Sequence, residues 1–108
     1  MRNLILAPLA LFLVACTISE DDFPAEYAET WCDRYEECEA DDFDSIWGDQ
    51  ESCQDDIDAA AELWLDFADL GGETYDESKG YECVKEVRQA DCDDIEDNDV
   101  SCDLWADE

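Results

Sequence analysis

The sequence predicts an all-α fold: a small three-helix bundle cross-linked by about three disulfides, followed by an irregular acidic C-terminal tail. Apolar residues recur at helical spacing in three separate segments, each with its own start or stop signal. Seven cysteines are spread over 108 residues. A chain of this length forms one domain, and its modest core would gain stability from cross-links.

The first predicted helix covers residues 24–39. Pro24 suits the first helical position, where its missing N–H group costs no hydrogen bond. Tyr27, Trp31 and Tyr35 recur every four residues and form an apolar stripe on one face. Residues 41–49 are predicted to be a loop that could include one helical turn. The loop contains apolar side chains, and we expect it to pack down onto the domain.

The second predicted helix covers residues 53–70. Ser52 is its expected N-cap, with Asp55 as an acidic partner three residues later. Gly71 and Gly72 end the helix. Its predicted apolar face consists of Ile57, Ala60, Ala61, Trp64, Phe67 and Ala68.

The third predicted helix covers residues 75–91. Thr74 followed by Glu77 has the spacing of a capping box. Gly80 lies inside this helix and costs roughly 1 kcal/mol relative to alanine, which indicates a close contact with a neighbouring element. From Cys92 onward the chain is acidic and is predicted to be irregular. The apolar anchors of this tail are Ile95, Val100, Leu104 and Trp105.

The N-terminal residues have the pattern of an export signal. Arg2 is followed by an apolar run over residues 4–15, shorter than the roughly 20 residues that span a bilayer as a helix. The run ends in Leu13-Val14-Ala15-Cys16. This tetrapeptide resembles the lipobox of bacterial lipoproteins, in which an apolar residue, a tolerant position and a small residue precede a cysteine.

The resemblance implies that residues 1–15 are a cleaved signal peptide and that Cys16 is lipidated, with acyl chains such as palmitate inserted in the bilayer. Residues 16–22 would then be the lipidated N-terminus and an acidic tether, and residues 23–108 the disulfide-rich helical domain. By the same resemblance Thr17, next to the anchor, favours the outer membrane of the cell envelope. An ordinary secretory signal with an unpaired Cys16 is the alternative.

Lipidation of Cys16 would leave six cysteines, an even set that can pair fully in an oxidising compartment. Six cysteines allow 15 connectivities. Loop geometry favours Cys38–Cys53, Cys32–Cys83 and Cys92–Cys102. The chain has no CxxC pair and no histidine, so the spacing of a zinc site is absent and no metal or other cofactor is predicted.

The charge balance excludes one class of partner. Asp and Glu number 34 against five Lys and Arg, for a net charge of −29, so nucleic acid is not an expected ligand. A basic protein partner and weakly bound divalent cations are compatible with this charge. An acidic surface adapted to a saline habitat would need no ligand at all.

The acidic residues could in principle serve two kinds of chemistry, catalysis and calcium binding. The chain has no histidine, so Ser–His and Cys–His catalysis is excluded. Among 34 acidic residues some pair always lies at a suitable distance, so a pair of carboxylates does not indicate an active site. No catalytic residues and no enzyme are therefore predicted. A calcium loop would need glycine where Cys102 stands, so a solvated acidic tail is favoured. The residues at the ligand positions of that loop are Asp97, Asp99, Ser101, Asp103 and Glu108.

Beyond the lipobox, residues 75–83 and the following Cys92 resemble small, helical, cysteine-rich bacterial lipoproteins of unknown function. The expected role is that of a lipid-anchored envelope protein, non-enzymatic, with a structural or protein-interaction function. The alternative is an acidic binding module for divalent cations or a basic partner. A small carboxylate-dependent hydrolase ranks third.

Overall fold

The computed structural model describes residues 16–106. Over this range the chain is mainly helical and contains no strand beyond a single bridge between Tyr75 and Trp105, so the predicted all-α class is confirmed. Residues 1–15, predicted to be a signal peptide, and Glu108, the last ligand position of the calcium-loop pattern, lie outside the described residues. The helices are α1 (Phe23–Cys38), α2 (Ala40–Ile46), α3 (Gln50–Leu70), α4 (Glu77–Gln89) and α5 (Cys92–Glu96).

Helix α1 is the centre of the domain, because α2, α3, α4 and α5 all pack against it. Phe23 contacts Trp64 while Cys32 is bonded to Cys53, so α1 and α3 run antiparallel. The core divides into two clusters that α1 joins. Phe23 belongs to one cluster and Trp31 to the other.

Aspartates begin both α3 and α4. The Asp49 carboxylate accepts a hydrogen bond from the Ser52 backbone N–H at 2.8 Å, so α3 begins three residues before the predicted start. Asp76 accepts from the backbone N–H groups of Ser78 and Lys79 at 2.9 and 3.1 Å. The predicted N-caps Ser52 and Thr74 were therefore wrong. The observed N-caps, Asp49 and Asp76, lie three and two residues from them in the sequence.

The segment predicted to be a tether packs onto the domain from Ile18 onward. Ile18 is buried in the core, its N–H donates to the Glu77 carbonyl at 3.1 Å, and its own carbonyl accepts from the Tyr75 hydroxyl at 2.8 Å. Ser19 then accepts from the N–H groups of Asp22 and Phe23. Only Cys16 and Thr17 precede this packed segment among residues 16–22.

The two segments that were predicted to be a loop and an irregular tail, residues 41–49 and the chain from Cys92 onward, each contain a short helix. Residues 41–49 include most of α2, whose Phe43 is buried as expected, while Ile46 is 58% exposed. The C-terminal segment contains α5 and is packed against the domain at Ile95 and Leu104, which are fully buried. Hydrogen bonds from Asp76 N–H to the Leu104 carbonyl (2.8 Å) and from Ala106 N–H to the Thr74 carbonyl (2.7 Å) hold its end.

Three disulfides are present, as predicted, but their pairing differs from the predicted one. The bonds are Cys32–Cys53, Cys38–Cys92 and Cys83–Cys102. The predicted pairs Cys38–Cys53, Cys32–Cys83 and Cys92–Cys102 were wrong.

Helix packing explains the observed pairing. Because α3 starts at Gln50, Cys53 lies one turn inside it and faces Cys32 across the antiparallel α1–α3 contact. Helix α2 occupies the loop that a Cys38–Cys53 bond would have closed. Cys38, at the end of α1, instead meets the first residue of α5.

Candidate functional site

The N-terminal edge of the described chain presents the predicted lipidation residue. Cys16 is exposed, and it is the one cysteine of residues 16–106 outside a disulfide. Two residues later the chain is already buried at Ile18. A group attached to the Cys16 sulfur would therefore lie close to the folded domain but outside its core.

A row of aromatic rings runs along α1, as its four-residue spacing predicted. The ring centroids of Tyr27 and Trp31 are 6.5 Å apart with nearly parallel planes, and those of Trp31 and Tyr35 are 6.1 Å apart. Trp47 extends the row, edge-on to Tyr35 at 5.5 Å. Trp31 is buried, whereas the other three rings are only half-buried and remain accessible from outside.

These rings form one wall of an open cleft between α1 and α3, which we call the aromatic groove. Its volume is about 410 Å³, within the range of ligand-binding clefts. Burial raises the pKa of Tyr27, so its hydroxyl stays neutral and can donate or accept. The groove is lined by Tyr27, Trp31, Tyr35, Trp47, Ile57, Ala60, Ala61, Trp64, Ile95, Glu96 and Asn98.

Carboxylates border one end of the groove. Trp47 Nε1 donates to Asp56 Oδ2 at 3.1 Å, and Glu96 is part of the lining. Partial desolvation together with the negative charges of Asp42, Glu39 and Glu96 raises the pKa of Tyr35. We call Glu39, Asp42 and Glu96 the Glu39 cluster.

The carboxylates of the Glu39 cluster repel one another. Desolvation and the repulsion of Glu96 and Asp42 raise the pKa of Glu39. Of the basic residues that the structure describes, none lines the groove. A cation would therefore relieve repulsion at this border.

An exposed apolar strip continues from the groove along α3. Leu63, Phe67 and Leu70 are 56%, 65% and 83% exposed and fall within about 60° of the helix circumference. We call these three residues the α3 stripe. Ala60 and Trp64 adjoin the stripe on the helix surface and line the groove, so the two apolar surfaces are continuous.

The sequence did not distinguish this surface from the core. Phe67 was expected on the inner face of helix two, yet it is exposed. The available signal was the width of the apolar arc, because Leu63 and Leu70 lie beyond the stripe that a single core-facing side needs.

A second row of carboxylates follows the other side of the α3 stripe. Asp58, Glu62 and Asp66 are spaced four residues apart and lie on one face of α3. A hydrogen bond with Asp58 and the charge of that residue raise the pKa of Glu62. We call these three residues the Glu62 row.

Two basic side chains, Arg34 and Lys79, bind carbonyl and carboxylate groups near the two ends of α4. Arg34 donates to the Ala90 carbonyl, just past the last residue of α4, and pairs with Glu37 at 3.4 Å. Lys79 donates to the Trp105 carbonyl at 2.6 Å and pairs with Asp103 at 3.2 Å. These cations fasten neighbouring segments to α4, and neither of them lines the groove.

The structure does not bring the calcium-loop residues together. The backbone N–H of Trp105 and the Lys79 ammonium lower the pKa of Asp103, whose carboxylate is already occupied by them. Asp97 is the C-cap that follows α5, and its N–H donates to the Asp93 carbonyl at 3.0 Å. Within residues 16–106, no three Cys, Asp or Glu side chains are grouped to hold a metal ion.

Comparisons with protein-family models, with curated proteins and with solved structures found no match for this chain. Among the helices described, none is both long enough and apolar enough to cross a bilayer.

Proposed function

We propose that this chain is a lipid-anchored protein of the bacterial cell envelope, held in the bilayer through acylated Cys16, with a non-enzymatic structural or protein-interaction role. Residues 1–15 would be removed as a signal peptide. Thr17 favours the outer membrane in this proposal.

The observation that carries the proposal is the fate of the cysteines. All six that follow Cys16 are consumed in three disulfides, and Cys16 is left exposed at the end of the Leu13–Cys16 motif. Disulfides persist in oxidising compartments such as the bacterial envelope, which supports export. Several acyl chains at about 0.8 kcal/mol per buried methylene would hold the domain firmly to a bilayer.

The helical scaffold suits presentation of a surface. In this proposal the predicted three-helix bundle consists of α1, α3 and α4. The disulfides keep this bundle rigid beside the membrane. Because Ile18 is packed in the core, the domain would lie within two residues of its anchor.

Expression of the full chain in a bacterial host tests the proposal. The mass of the protein recovered from membranes should show loss of residues 1–15 and the addition of acyl chains on Cys16. Cys16→Ser should leave the membrane fraction or stay unprocessed, whereas the neighbouring control Thr17→Ser should remain acylated. A native protein with a bare Cys16 thiol, or with residues 1–15 still attached, would overturn the proposal.

A second candidate function is an acidic binding module. The aromatic groove and its carboxylate borders favour a basic partner within this class, while divalent cations are the other option. Calorimetry with Ca²⁺ and Mg²⁺ separates them: saturable binding tighter than about 10⁻³ M, the weak end for extracellular calcium modules, would favour the cation.

A further inference from the structure

The aromatic groove and the α3 stripe together form an extended apolar surface. Ile57 lines the groove at one end and Leu70 closes the stripe at the other, thirteen residues further along α3. At 1.5 Å per residue this distance is about 20 Å. Monomeric proteins rarely leave so long a run of large apolar side chains without a partner.

The shape and length of this surface match a helix. Amphipathic helices bind in apolar grooves through side chains at i, i+3 or i+4, and i+7, and three to four helical turns cover about 20 Å. The rings of Tyr27, Tyr35 and Trp47 line the groove and are half-buried, and the accessible face of such a ring attracts a cation.

Charge decides which partner fits. Glu96 lines the groove, Glu39 and Asp42 act on the groove residue Tyr35, and the Glu62 row lies beside the α3 stripe on the helix surface, so carboxylates flank the apolar surface on two sides. A second copy of this chain, itself at −29, would be repelled, and so would an anionic bilayer. A positively charged partner gains attraction at both borders.

We propose that the aromatic groove and the α3 stripe bind a basic amphipathic helix of a partner protein. Its apolar side chains enter the groove and cover Leu63, Phe67 and Leu70, and its Lys and Arg side chains face Glu96 on one border and the Glu62 row on the other. The inference deepens the proposed protein-interaction role and rests on it, but it does not depend on lipidation.

The probe is a synthetic 18-residue peptide of leucine and lysine whose leucines follow helical spacing. The controls are a scrambled peptide of the same composition and a leucine–glutamate analogue. The full chain, processed by its host, is placed in phosphatidylcholine nanodiscs, and empty discs provide the blank. Tryptophan fluorescence reports binding, because three of the four tryptophans, Trp31, Trp47 and Trp64, line the groove. We expect saturable binding of the helical basic peptide and at least tenfold weaker binding of both control peptides.

Variants locate the binding surface. Leu63→Gln combined with Phe67→Gln should weaken binding about tenfold or more, because two exposed apolar side chains lose their burial in the complex. Ile46→Gln, at a similarly exposed site on α2, should leave it unchanged. Since these positions are exposed, the circular dichroism and melting temperature of each variant should match those of the parent.

Neutralising the acidic borders tests the charge argument. Glu62→Gln combined with Glu96→Gln should weaken binding about fivefold, as expected for two exposed ion pairs. Glu82→Gln combined with Glu86→Gln makes the same change in net charge on α4 and should have little effect. Equal losses in the two double variants would show attraction to net charge alone and overturn the proposed site.

Two other results would also overturn it. Equal binding of the helical and scrambled peptides would show that no helix is recognised. Protein without acyl chains that binds phosphatidylcholine vesicles, with this binding lost in the Leu63/Phe67 variant and with no peptide binding, would assign the stripe to the membrane.

Failure of this inference is separable from failure of the lipoprotein proposal. Mass spectrometry of Cys16 on the same preparation reports acylation independently of peptide binding. An acylated protein that ignores the peptide refutes only the helix-binding site. A protein without acyl chains, assayed in solution, refutes only the anchor if it still binds the peptide.

Discussion

Replacing Gly80 with alanine tests the close approach of Tyr75 to helix α4. A Cβ atom at this position would lie 1.8 Å from the Tyr75 hydroxyl oxygen and 2.7 Å from its Cζ. The Tyr75 ring cannot retreat freely, because it packs on Phe23 with a centroid distance of 5.7 Å and its hydroxyl donates to the Ile18 carbonyl at 2.8 Å. The new methyl group must therefore displace a packed side chain.

The expected size follows from three contributions. Alanine in place of glycine inside α4 gains about 1 kcal/mol of helix propensity. Loss of the Tyr75–Ile18 hydrogen bond costs about 1 kcal/mol, and overpacking of the core costs about 2 kcal/mol. We expect Gly80→Ala to lower the free energy of unfolding by about 2 kcal/mol, which corresponds to a fall in melting temperature of roughly 10 °C.

Denaturant unfolding of the oxidised protein, followed by circular dichroism, measures this change. Gly71→Ala is the matched control, since its Cβ would find only ordinary contact at 3.4 Å, and its stability should stay close to that of the parent. In a Tyr75→Phe background the nearest clashing atom is gone, so the cost of Gly80→Ala should shrink by about 1 kcal/mol. If Gly80→Ala instead stabilises the protein by about 1 kcal/mol, helix propensity governs and the proposed close contact is refuted.

Three further outcomes are expected. Replacing both cysteines of a pair by alanine should cost about 4 kcal/mol for Cys38–Cys92, separated by 54 residues, and about 3 kcal/mol for Cys83–Cys102, separated by 19, in denaturant unfolding; the reverse order would contradict the loop-entropy argument. Glu39 has a raised pKa in the folded protein, so its contribution to stability is present at low pH and is lost as the pH rises through that pKa. Glu39→Gln should accordingly raise the melting temperature at pH 7, with the gain disappearing below the ordinary glutamate pKa of about 4.3, and a gain that persists at pH 3 would point to packing instead. Finally, added NaCl should raise the melting temperature between about 0.01 and 1 M because it screens repulsion within a chain of net charge −29; a melting temperature that does not respond to salt would count against repulsion as a destabilising force.

Local patterns predicted the elements that depend on neighbours in sequence. The four-residue spacing of Tyr27, Trp31 and Tyr35 predicted α1 and its aromatic row, because side chains four apart share a helix face. The short polar stretches before α3 and α4 predicted their starts to within three residues. The predicted cap residues were wrong, since Asp, Ser and Thr compete for the same backbone N–H groups and only the path of the chain selects one.

These local patterns could not predict which cysteines pair or which apolar side chains are exposed. Periodicity identifies an apolar face but not the element opposite it, so the partners of Cys32, Cys38 and Cys83 depended on how α3, α5 and the C-terminal segment pack. For the same reason Phe67, which fits an inner face by spacing, lies outside it.

The sequence by itself determined a mainly helical, acidic domain rich in cysteine, because composition and helical period are local properties of the chain. Tertiary structure alone decided that the Tyr75 hydroxyl donates to the Ile18 carbonyl, that Cys32 bonds to Cys53, and that an aromatic groove opens between α1 and α3. Each of these features joins residues more than 20 positions apart, and their meeting depends on the angle and register at which whole helices pack.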